Sequence, residues 1–126
     1  MAGEERFEEA GTHFQRAVDS AVACSDRRAE GQFRGYLALN LARLGRFSEA
    51  TASLDIGERL LSGISDQLSL ALLQCDRAEV DIQRCDLARA RHSFDAASRI
   101  ADVLQCKPES ELRHRLTDLS RRLAVA

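Results

Sequence analysis

Tryptophan is absent from the chain, Pro108 is its only proline and Tyr36 its only tyrosine. One proline in 126 residues leaves little to interrupt a helix, and 5% aromatic content leaves a core to be built largely from leucine and alanine. The expected class is all-α, in one domain with a continuous core. No run approaches the roughly 20 apolar residues that span a bilayer. The opening, Met1 to Glu9, is acidic and lacks the apolar stretch of a secretion signal. A cytoplasmic protein with no membrane partner is expected.

An excess of either charge is also missing. Eighteen Lys and Arg face twenty Asp and Glu, a net charge of -2; nucleic-acid binders are usually more basic, so nucleic acid is not the expected partner. Lys107 is the only lysine, and the skew to arginine reads as coding bias. Cysteines 24, 75, 85 and 106 form no C-x-x-C pair, and His13, His92 and His114 stand apart from them and from one another. No metal or cofactor is expected, and the cysteines read as small core residues kept reduced. With no G-x-S-x-G, Walker loop, H-E-x-x-H or ordered Cys/His set, no catalytic residue is named and the chain is not read as an enzyme.

What the chain has is internal repetition. The stretch from Leu41 through Gly45, Phe47 and Ala50 to Leu54 reads as a helix end, a glycine turn and a helix start. Its echoes lie forty residues to either side, in Phe7, Ala10 and Phe14 and in Leu87, Ala90 and Phe94. Apolar residues at three- and four-residue steps predict about six helices. They run from Gly3 to Cys24, Arg27 to Leu44, Phe47 to Leu61, Gln67 to Arg84, Leu87 to Leu104 and, with Pro108 in its first turn, 108–124. Asp26, Asp66 and Asp86 read as N-caps, Gly45 as a C-cap, and Gly57 as a place where another backbone passes close. The last helix has Leu112, Leu116, Leu119 and Leu123 on its dry side. Arg113, His114, Arg115, Arg121 and Arg122 give it a solvated basic side, the form of a capping helix.

These residues resemble the tetratricopeptide repeat (TPR) family: Leu37-Ala38, Leu41, Gly45, Phe47 and Ala50 follow its signature, and A-x-x-x-F stands intact at Ala10/Phe14 and Ala90/Phe94. HEAT and armadillo repeats share a period near 40, but the Gly45 turn and A-x-x-x-F favour the TPR pattern, in its longer-helix variety. The resemblance implies a right-handed superhelix of antiparallel helix pairs. Residues 1–24 would be the second helix of an incomplete repeat, 27–62 and 66–104 full repeats, and 108–124 the cap. The signature departs at Arg34 and Gln74, where an aromatic is expected, and at Arg77 and Asp81, the equivalents of Leu37 and Leu41. Either those two form a polar interaction site, or the fourth helix turns to bury Leu68, Leu72, Cys75 and Ile82, and the helical spacing of that second stripe favours the turn.

The resemblance also places a ligand. The first helix of each pair would line a concave face, with Gln32, Gly35, Leu39 and Arg43 on one helix and Leu72, Cys75, Glu79 and Gln83 on the next. Tyr36 lies beside them as an aromatic anchor. Tyr36 also stands where the family's carboxylate clamp would need Asn, so a chaperone C-terminus is not the expected ligand. The function read is a scaffold or adaptor that binds a peptide or protein there. The alternative is a regulatory module acting with a DNA-binding or enzymatic partner domain. The first helix, with no partner ahead of it, either caps the array or pairs with a second copy, and its polar far side favours the cap.

Overall fold

The computed structural model describes residues 2–125, and among these the chain is all-helical, without a strand. The helices are α1 (Ala2–Ala23), α2 (Arg27–Arg43), α3 (Phe47–Gly63), α4 (Gln67–Gln83), α5 (Leu87–Val103) and α6 (Glu111–Val125). None is long and apolar enough to cross a membrane.

The turns set the spacing. Ser25, Gly45, Ser65, Cys85 and Gln105, each twenty residues after the last, take φ values of 56, 77, 57, 61 and 54°. Around each, two bonds close a Schellman C-cap. At the first turn the Ser25 N–H donates to the Val22 carbonyl at 3.1 Å and the Asp26 N–H to Ala21 at 2.9 Å, and the same pattern recurs at the other four. At the first four turns the residue that completes the cap is also the N-cap of the next helix. Asp26, Asp66 and Asp86 accept from the N–H of Ala29, Ser69 and Arg89 at 3.0, 3.0 and 3.2 Å. Arg46 lacks an acceptor for that purpose and pairs with Glu49 instead.

Connections this short make consecutive helices neighbours. Besides these contacts, α2 packs on α4 and α4 on α6, whereas among the described residues no two odd-numbered helices touch. The even helices therefore share one face. Two buried clusters run through the molecule. One joins Ala38, Ala50, Leu54, Leu61, Leu73 and Val80, and the other joins Ala71, Cys75, Ala97, Leu112, Leu116 and Leu119. Small residues let the helices close up: a Cβ on Gly57 would stand 3.1 Å from the Gly31 carbonyl oxygen, the close backbone approach its place in the sequence suggests.

Several expectations need correction. α6 starts at Glu111, and Pro108 lies in the preceding turn, because Ser110 supplies the cap by accepting from the Arg113 N–H at 3.3 Å. α3 continues past Leu61 to Gly63. Of the second stripe of α4 only Leu68 stays out, at 48% exposed: Cys75 is buried and Leu72 and Ile82 pack half-buried on the core, while Leu73 and Val80, outside that stripe, are buried too. Of the cysteines only Cys75 is a core residue; Cys24 and Cys85 are exposed because both fall in turns.

Candidate interaction surface

The even-helix face is stitched by polar contacts that begin at a helix cap. Asp66, the N-cap of α4, takes the Arg28 Nε at 2.6 Å and the Ser69 hydroxyl at 2.8 Å, and the Gln32 amide donates to that hydroxyl oxygen at 3.0 Å. Burial pushes the Asp66 carboxyl up, but the Ser69 N–H and hydroxyl together with Arg28 outweigh it and hold the group below its usual value. One α2–α4 seam is thereby fixed along its first turns.

Two turns along, Asp76 is buried where α2, α4 and α6 meet. A Cβ on Gly35 would stand 2.3 Å from its Oδ2, so glycine is what makes room for the carboxylate. Arg115 of α6 reaches in, with Nη2 2.8 Å from Asp76 Oδ1 and 3.1 Å from Glu79 Oε1. The Asp76 contact is an ion pair without a well-aligned hydrogen bond. Burial accordingly wins over the guanidinium and raises the Asp76 carboxyl to about 6. Arg115 itself is pushed up, its own desolvation outweighed by Asp76. Arg115 is thus no part of a solvated basic face: it bolts α6 to α4.

Tyr36 is the half-exposed aromatic of this surface, at 45%. Its ring lies 6.0 Å from that of Phe14 and 6.1 Å, edge-on, from that of Phe33, and the Arg43 guanidinium caps Phe7 at 5.5 Å. The ring borders two depressions. The first, about 40 Å³, gathers Gln32, Tyr36 and Leu72 with Ser69, Asp76 and Arg115; the second, about 270 Å³, gathers Tyr36, Leu39 and Arg43 with Phe7, Ala10 and Phe14.

The structure divides the expected ligand residues accordingly. Gln32, Tyr36 and Leu72 come together at one crevice; Tyr36, Leu39 and Arg43 meet at the other. Glu79 is held by Arg115, and Gln83 is half-buried at the end of α4 and lines neither depression. Gly35 and Cys75 are buried and unavailable to a ligand. Asp76 and Arg115 escaped sequence reading, although Gly35 beside an acid one repeat away was a usable signal.

A larger cleft, about 660 Å³, lies between α1 and α3 over α2, floored by Leu37, Asn40 and Leu41. It follows from the gap between odd helices. Compared with family models, curated proteins and solved structures, the chain matches none.

Proposed function

We propose that the chain is a helical-repeat interaction module of tetratricopeptide type, a right-handed superhelical scaffold that binds a peptide or protein segment across α2, α4 and α6. The twenty-residue recurrence of the turns and the contacts among even helices support the architecture. The observation that carries the binding reading is Tyr36: a half-exposed aromatic that borders both depressions, on a surface made rigid by Arg28–Asp66 and Asp76–Arg115. Rigid aromatic and arginine anchors are the residue types that dominate interfaces. The larger odd-helix cleft is lined by no aromatic side chain, and of its three arginines Arg34 and Arg46 are paired with Glu30 and Glu49, which leaves only Arg16.

The ligand suited to this surface is an extended or helical segment with one or two apolar side chains against Tyr36, Leu39 and Leu72 and an acidic group near Arg43. No catalytic chemistry is assigned to it. A displayed peptide library selected on the wild-type chain supplies a binder, and Tyr36→Ala and Arg43→Ala, both at exposed positions, then measure the site. Each is expected to weaken binding about tenfold, on the order of 1.4 kcal/mol. Unchanged affinity in both variants would move the site off this face.

A further inference from the structure

The cleft between α3 and α5 over α4, about 370 Å³, falls within the size range of small-molecule sites. It is the counterpart of the cleft over α2, but where that one has Leu37, Leu41 and Leu44, the residues forty positions on are Arg77, Asp81 and Arg84. Charges three and four apart on one helix face normally close on each other. Here they turn apart. Arg77 points to α3, its Nη2 2.9 Å from Asp55 and 3.5 Å from Glu58, and its buried Nε donates to nothing. Arg84 reaches Thr51 Oγ1 at 3.4 Å. Asp81 is only 5% exposed, yet among the described residues its carboxylate accepts no hydrogen bond and has no cation at ion-pair distance. Its oxygens are not sealed from the cleft, and burial holds the carboxyl above its usual value against the pull of Arg84 and Arg77.

The charges define what fits. Arg77, Arg84 and Arg89 are set against Asp55, Glu58, Asp81 and Asp86 around the cleft, so neither a simple anion nor a simple cation is favoured. The lining groups without an ion-pair partner of opposite charge are the Asp81 carboxylate in the wall and the Arg84 guanidinium at the rim. We propose that this cleft binds a free α-amino acid, its ammonium on Asp81 and its carboxylate on Arg84, with Arg89 and His92 bordering the site. Asp81 and Arg84 are three residues apart on the same face of α4 and both line the cleft, so one ligand carrying both charges can meet them together. A residue inside a peptide carries neither charge and is not a ligand.

Calorimetric titration of the whole chain with each of the twenty common L-amino acids tests this, followed for any binder by its N-acetyl form and its decarboxylated amine. At least one amino acid is expected to bind with Kd below about 1 mM. Asp81→Asn and Arg84→Gln should each weaken it tenfold or more, Tyr36→Ala should leave it unchanged, and both analogues should fail. Arg84 is exposed, so Arg84→Gln decides the matter even if Asp81→Asn fails to fold. The proposal is overturned by no binding from any of the twenty at about 10 mM, a level that detects even weak binders, by binding that survives Arg84→Gln, or by an analogue that binds as well as its parent.

Discussion

Asp76 shows how much a single buried residue decides. Its carboxyl is raised to about 6, from an ordinary value of 3.8, chiefly by burial. A carboxyl with a raised folded pKa binds protons more readily folded than unfolded, so its favourable contribution is complete below about pH 4 and is lost as pH rises through 6. Asp76→Asn should therefore flatten the stability curve between pH 4 and 6 by on the order of 2 kcal/mol, measured by urea unfolding at each pH. Gly35→Ala pushes a methyl into the same carboxylate and should cost about 1–3 kcal/mol. Cys75 gives a chemical check: burial pushes its thiol up to about 12, so it should stay unlabelled by a thiol reagent at pH 8, while exposed Cys24 and Cys85 react within the mixing time of a slow assay. Burial of Cys75 was legible in its apolar spacing, but the environment of Asp76 was not, because it depends on Arg115, about forty residues away in sequence.

Helix boundaries were the most legible level. Asp26, Asp66 and Asp86 announce helix starts through local chemistry alone, and they cap as expected. Asp66→Ala should cost about 1 kcal/mol or more, since it also releases Arg28. The positive φ at Ser25, Ser65, Cys85 and Gln105 was hidden, because only Gly45 uses the residue type that signals it. Cys85→Gly should stabilise the chain by about 0.5–1 kcal/mol, read from the shift in urea midpoint, since the left-handed conformation burdens any side chain. The face that α4 buries was legible only in part, for a related reason. Helical spacing allowed two stripes, and neither foresaw that Asp76 and Asp81 would both go inside while Leu68 stayed out.

For the whole molecule, the forty-residue echo in sequence corresponds to a twenty-residue step of turns, and to even helices that touch while odd ones do not. One layer thus presents a continuous face, tied across α2, α4 and α6 by Arg28–Asp66 and Asp76–Arg115, and the other is split by clefts. The tetratricopeptide resemblance, rather than periodicity, led to Gln32, Tyr36 and Arg43, which lie on α2 of the first layer. It could not show that α6 joins that layer through Arg115. The direct measurement is two-dimensional NMR of the isotope-labelled chain titrated with the selected peptide. Shift changes should concentrate at Gln32, Tyr36, Leu39, Arg43 and Leu72, with little change at Glu49, Ala52 and Ile56, which line the cleft between α1 and α3. The reverse pattern, with changes centred on Glu49, Ala52 and Ile56 and a silent Tyr36, would contradict binding across the even helices.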